Sequence, residues 1–138
     1  MDPKTIVVVE DNEPIARLIR EVLNEVPGYG AVALADGMFA PDLIAAVRAD
    51  LVILDIDLPG LGGLELYDRL RGRPETAEIP VLFMSAASHR EELARRGIYD
   101  YLHKPFDLDD LLARVDRLLA EPPRRDEWPP RATGTRAE

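Results

Sequence analysis

The chain has 138 residues, 46% of them hydrophobic, a formal charge of −9 and no cysteine. That is one domain with an ordinary core, and it excludes a disulfide framework, a thiolate metal site and, for this chain alone, generic adhesion to nucleic acid backbone. No apolar run nears the length of a membrane span, and the N-terminus enters an apolar strand and then acids where a signal peptide would differ, so a cytoplasmic location away from membranes is expected.

Residues 5–9 (Thr-Ile-Val-Val-Val) predict a buried β-branched strand, followed at once by Glu10, Asp11 and Asn12. Pro14 suits the first turn of a helix, and Ile15, Leu18, Ile19, Val22 and Leu23 repeat at helical spacing to about residue 25. Pro27-Gly28 ends it. A short strand over 31–35 and a weaker helix over about 41–49 follow, the latter with Leu43, Ile44 and Val47 inward. Residues 51–54 (Leu-Val-Ile-Leu) read as a strand buried on both faces, Asp55 falls where it should end, and Pro59-Gly60 stop the element. Then come a helix over about 64–71 with Leu66, Tyr67 and Leu70 inward, a strand over 79–84, and a mostly charged helix over 88–96 with a thin apolar face. Gly97 stops that helix, and 98–102 is expected to be a short edge strand. After Lys104-Pro105-Phe106, Asp107 can cap a last helix whose Leu108, Leu111, Leu112, Val115, Leu118 and Leu119 form an apolar stripe.

Strand and helix thus alternate throughout, which implies an α/β fold: a doubly wound five-stranded parallel sheet with helices on both faces and right-handed crossovers. The expected strand order is the flavodoxin-like 2-1-3-4-5. Residues 1–120 are expected to form the domain, and 121–138, with Pro122, Pro123, Pro129, Pro130 and a lone Trp128, to be a disordered tail or linker. Arg124, Arg125, Arg131 and Arg136 balance Glu121, Asp126, Glu127 and Glu138, so residues 1–120 carry the whole acidic excess.

The alternation brings the polar strand ends to one edge: Glu10 and Asp11, Asp55 and Asp57, Ser85, and Lys104. Carboxylates on adjacent strand ends repel unless a cation lies between them. Mg²⁺ suits that place, because it takes one or two carboxylates, keeps waters and accepts phosphate oxygens. Lys104 adds a point charge for a phosphoryl oxygen, and Ser85 a hydroxyl donor. An aspartate so surrounded can act as a nucleophile and become an aspartyl phosphate.

Glu10-Asp11, the apolar run into Asp55, Pro59, Gly63, Ser85-Ala86 and Lys104-Pro105-Phe106 together resemble the receiver domain of two-component response regulators, over about residues 4–120. The resemblance implies that Asp55 is the phosphoacceptor, taking a phosphoryl group from a sensor histidine kinase or a phosphotransfer protein. It implies a cofactor, Mg²⁺ or Mn²⁺, held by Asp11 and Asp55, by Glu10 through water, and by the backbone carbonyl of Asp57. Lys104 and Ser85 would contact the phosphoryl group, Ser85 and Tyr101 would form the switch, and the peptide bond before Pro105 would be cis. No enzyme activity is implied beyond the domain's own phosphorylation and dephosphorylation.

Some positions depart from the family pattern. The acidic pair is Glu-Asp in place of the commoner Asp-Asp, Gly62 stands where an Asp is frequent, and Asp57 and Ala87 are the residues expected to modulate the phosphoryl lifetime. His89 and His103 match no role and are expected at the surface. The output implied is a population shift of the face built from the fourth helix, fifth strand and fifth helix, controlling a downstream protein target or a homodimer, to which Asp100 and Arg114 would contribute charges. Two other readings compete. A phosphatase of the haloacid dehalogenase type also uses Asp-x-Asp, as in Asp55-Ile56-Asp57, but its motif normally ends the first strand and its acidic pair follows the lysine. A pseudo-receiver would keep the fold as a binding module without phosphorylation.

Overall fold

A computed structural model describes residues 3–86 and 89–120. Strands β1 (Lys4–Val9), β2 (Tyr29–Leu34), β3 (Leu51–Asp55), β4 (Val81–Ser85) and β5 (Leu102–His103) alternate with helices α1 (Glu13–Asn24), α2 (Ala40–Ala46), α3 (Gly63–Arg71), α4 (Arg90–Ala94) and α5 (Leu108–Ala120). The sheet runs β2-β1-β3-β4-β5 with every pairing parallel. Fold class and strand order are those expected from the alternation.

Side chains of a strand point alternately to the two faces, and here each face has its own core. Val7, Val9, Val52, Leu54 and Phe83 pack with Ile44 of α2, Leu66, Tyr67 and Leu70 of α3, and Leu93 of α4. Ile6, Val8, Leu51, Ile53, Leu82 and Met84 pack with Ile19 and Leu23 of α1 and Leu111, Val115 and Leu119 of α5. The central strands are apolar at consecutive positions because both faces are covered. The Asn12 side chain caps α1 by accepting from the Ile15 N–H at 3.1 Å, and Pro14 occupies the first turn.

The structure corrects several boundaries. Asp55 is the last residue of β3 itself. β4 starts at Val81, because Ile79 is held in a turn by its N–H to the Thr76 carbonyl at 3.2 Å. α2 ends at Ala46, where the left-handed Arg48 (φ 53°) lets the Ala49 N–H reach back to the Ile44 carbonyl.

The largest correction concerns β5, expected at 98–102 and found at Leu102–His103. Gly97 adopts φ 75°, and the Ile98 N–H bonds the Leu93 carbonyl at 2.9 Å. This is the reverse turn that closes a helix, completed by apolar contact between the flanking residues. Ile98 and Leu93 are both buried in one core cluster. The apolar character of Ile98 therefore serves the end of α4. α4 itself is also shorter than expected. Ala87, Ser88, and the tail at 121–138 with Trp128 lie outside the described residues.

Gly63 begins α3 directly against the end of β3. A Cβ there would stand 2.4 Å from the Asp55 carbonyl oxygen and 2.6 Å from the Ile56 Cα, so only glycine fits. The Gly63 N–H donates to the Ile56 carbonyl at 3.1 Å. This close approach fixes the backbone that carries Asp55.

Candidate functional site

Parallel pairing places the carboxyl ends of β1, β3, β4 and β5 on one rim. Val9 pairs with Leu54, Asp55 with Met84, and Ser85 with His103. Glu10, Asp55 and Ser85 are buried, with relative exposures of 1%, 2% and 0%, while Asp11 is exposed. Carboxylate oxygens of Glu10, Asp11 and Asp55 lie within 4.8 Å of one another.

Lys104 sits among them, its Nζ 2.6 Å from Glu10 Oε1 and 3.1 Å from Asp55 Oδ2. The peptide bond between Lys104 and Pro105 is cis. The remaining oxygens are also engaged: the Asp57 N–H donates to Asp55 Oδ1 at 3.0 Å and the Asn12 N–H to Glu10 Oε2 at 3.0 Å. Burial pushes the Glu10 carboxyl above its usual range, and the Lys104 ammonium offsets this only in part. Burial alone would lower Lys104, but its bonds to Glu10 and Asp55 outweigh that and hold the ammonium above its ordinary value. Three carboxylates against one ammonium leave an excess of negative charge on hard oxygen donors, which is a chemical fit to a small dication.

The Asp57 carboxylate is not among the three clustered carboxylates. Its Oδ2 accepts from the Ala86 N–H at 3.2 Å and, at a longer 3.4 Å, from the Ser85 hydroxyl. Its Oδ1 lies 2.7 Å from His89 Nε2. Burial raises the Asp57 carboxyl, but the bonds from His89, Ala86 and Ser85 outweigh it, so the group lies below its ordinary value. His89 Nδ1 lies 2.9 Å from Glu92 Oε1. The imidazole is raised above its ordinary value, first by the Glu92 bond and then, against burial, by Asp57.

His89 lies at the surface as expected, its side chain 24% exposed, and there it bridges two carboxylates, a contact the sequence reading did not anticipate. The Glu92 half of that bridge was available from the three-residue spacing on a helix. The Asp57 half joins residues 32 apart and has no local signal. His103 is exposed, with its ring centroid 4.9 Å from that of Tyr101. Tyr101 is half-buried just before β5 and packs against the core cluster of α2, α3 and α4. On the far side of β5, Arg114 is paired within the chain, to Asp100 and to Asp110 at 3.2 Å.

Residues 6–116 match the family model described as the response regulator receiver domain. Among curated proteins, the chain is 40% identical over 122 residues to the phosphate regulon transcriptional regulatory protein PhoB of Rhizobium meliloti, covering 86% of this chain and 53% of that protein. It is 39% identical over 120 residues to the response regulator MprA of Mycolicibacterium vanbaalenii, covering 85% and 51%. The chain spans about half the length of the curated relatives it matches. Among solved structures, it is similar to the response regulator TrrA of Thermotoga maritima in complex with Mg²⁺-BeF, with TM-score 0.73, 34% identity, and coverage of 84% of this chain and 99% of that one. The receiver domain of the Francisella response regulator 1452 gives TM-score 0.74 and 32% identity, covering 85% and 97%. These matches do not favour the phosphatase reading, which shares only the Asp-x-Asp pattern. A buried carboxylate ending the central strand, a lysine bound to it from another strand end and the family match over residues 6–116 give one conclusion: the chain belongs to the response regulator receiver domain family.

Proposed function

We propose that this receiver domain accepts a phosphoryl group on Asp55 from the phosphohistidine of a sensor histidine kinase or a phosphotransfer protein. An Asp55 carboxylate oxygen attacks phosphorus, the P–N bond to the donor imidazole breaks, and an acyl phosphate forms. The observation that carries the reading is the convergence of the Glu10, Asp11 and Asp55 carboxylates with the Lys104 ammonium at one sheet edge.

In this reading Lys104 exchanges its bond to Asp55 for one to the phosphoryl oxygens, and Ser85 donates its hydroxyl to the same group. Asp11 and Asp55, Glu10 through water and the backbone carbonyl of Asp57 would hold Mg²⁺, or Mn²⁺ in its place. The ion would neutralise charge on the phosphoryl oxygens. Tyr101 follows Ser85 as the second switch residue. Asp57 and Ala87 set the lifetime of the acyl phosphate, through access of water to phosphorus. Residues 1–120 form the signalling unit and 121–138 a linker or tail, in the cytoplasm and without direct contact to nucleic acid or membrane. Among the described residues, no helix is long and apolar enough to cross a membrane.

Phosphorylation then shifts the population of arrangements of the α4-β5-α5 face, which engages a downstream protein or a second copy of the domain. Asp100 and Arg114 are paired within one chain, so dimerisation through them requires that pair to open. Incubation with acetyl phosphate and Mg²⁺ tests the proposal. The expected result is an acid-labile mass adduct of one phosphoryl group, absent in Asp55→Asn. No adduct under any donor would leave the pseudo-receiver, and sustained turnover of a generic phosphate ester would restore the phosphatase. Light scattering with and without beryllofluoride tests dimerisation, which a monomer in both states would exclude at that concentration.

A further inference from the structure

The donors at the end of β4 already hold an anion. The Ala86 N–H and the Ser85 hydroxyl both aim at Asp57 Oδ2. They stand beside Asp55, since Asp55 pairs with Met84 and the Ile56 N–H donates to the Met84 carbonyl at 2.9 Å. A phosphoryl group on Asp55 would be a second anion in reach of the same donors. One N–H cannot serve two acceptors at full strength, and two anions side by side repel.

The carboxylate of Asp57 is in turn held from α4. His89 immediately precedes α4 and Glu92 lies in its first turn. Carboxylates only accept, so the imidazole donates from Nε2 to Asp57 and from Nδ1 to Glu92. This chain runs from the rim of the phosphorylation site, through one ring, into the helix of the output face.

We propose that Asp57, His89 and Glu92 form a latch for the unphosphorylated state, in which the Asp57 carboxylate occupies the β4 donors as an internal substitute for the phosphoryl group. His89 is a positioning residue that acts through Asp57. Phosphorylation displaces the Asp57 side chain, and its release loosens the start of α4. The inference rests on Asp55 being the phosphoacceptor. It adds how this chain's own acid two residues further on competes with that event.

The test compares the full chain with Asp57→Ala, His89→Ala and the double variant. None removes the backbone carbonyl of residue 57. Both side chains lie outside the core clusters, so all variants are expected to fold, with far-ultraviolet circular dichroism as the check. Phosphoramidate is the donor and intact mass the readout. The latch predicts phosphorylation about tenfold faster in Asp57→Ala, as expected for the loss of competing charged hydrogen bonds. It predicts roughly threefold faster in His89→Ala, and a double variant equal to Asp57→Ala alone, because coupled positions are not additive. A charge effect without a latch would slow His89→Ala, since a cation is lost near an anionic site. That result, or additive rates, overturns the inference.

A phosphorylation-independent readout separates it from the reading it rests on. The Ala86 amide proton resonance of the unphosphorylated protein should move upfield in both single variants, with no further shift in the double. If the wild type takes no phosphoryl group, the phosphoacceptor reading fails. The ground-state latch is then decided by this resonance: a shift supports it, and an unmoved resonance in Asp57→Ala overturns it.

Discussion

The rim at β1 and β3 and the edge at α4 and β5 are built differently. β3 pairs with strands on both sides, and all five of its residues are buried, including Asp55. β5 has two residues, pairs among the described residues only with β4, and ends exposed at His103. α3 buries Gly63, Leu66, Tyr67 and Leu70, whereas α4 buries Leu93 alone. Besides the buried Leu93 and Ile98, the α4 region is held by polar ties at its two ends. His89 reaches Asp57 at one end. At the other, Arg96 makes a two-pronged pair with Asp68 of α3, at 2.9 and 2.7 Å. Exposed ion pairs are worth little beside buried apolar area. The contrast puts a well-packed Asp55 next to a thinly packed edge at α4 and β5. Elements that rearrange come from the low-stability end of a fold, and under the proposed function a change of charge at Asp55 would act on that edge.

The contrast can be broken first with matched truncations. Leu54→Ala, in the sheet centre, is expected to lower unfolding free energy by about 4 kcal/mol, and Leu93→Ala by about 2 kcal/mol, because a marginal helix can settle into the space left behind. Urea unfolding of both variants decides it; equal losses would mean that α4 is as well supported as β3.

Gly63→Ala comes next. The backbone of Asp55 and Ile56 cannot yield as a side chain would, so a loss of about 3 kcal/mol is expected. Chemical shifts at residues 55–57 should move as well. A stable variant with an unshifted site would show that the end of β3 is more compliant than its packing indicates.

Arg96→Ala sharpens the comparison from the other side. Global stability should fall by under ~1 kcal/mol, while amide hydrogen exchange should quicken in α4 and stay unchanged in β1 and β3. Exchange quickening everywhere would count against a separately held edge.

The smallest effect concerns pH at the opposite edge, where the Tyr29 hydroxyl of β2 donates to Asp116 of α5. Burial, with Asp116 second, pushes the Tyr29 phenol up to about 12 from an ordinary 10.0. Below the ordinary value the folded and unfolded chains both keep the proton and the bond is intact. As pH rises from there through the folded value, the unfolded chain loses its proton first and stability declines. Tyr29→Phe should remove that part of the alkaline slope in thermal unfolding, and an unchanged slope would assign it to other groups.

Much of this was legible beforehand because the information was local. Consecutive apolar residues at 6–9 and 51–54 mark strands covered on both faces, and alternation with amphipathic helices leaves few topologies. The polar residue following the first, third and fourth apolar runs then goes to the same rim, which brings together Glu10, Asp55 and Ser85 without any coordinates, and Lys104 lies two residues past the expected fifth strand. Ile98 misled for a physical reason. Burial by helix closure and burial in a strand select the same side chain, and only the backbone turn at Gly97 tells them apart.

Residue order by itself determined the fold class, the strand order and the identity of the groups at the carboxyl edge, since each follows from periodicity and from chain direction, while the place of β5 did not follow from it. Only the tertiary structure decided which of those groups bond to which. It turned Asp57 toward Ser85, Ala86 and His89, and placed Lys104 between Glu10 and Asp55. Such choices depend on ångström-scale distances between side chains carried by separate strands and loops, and no pattern along the chain encodes them.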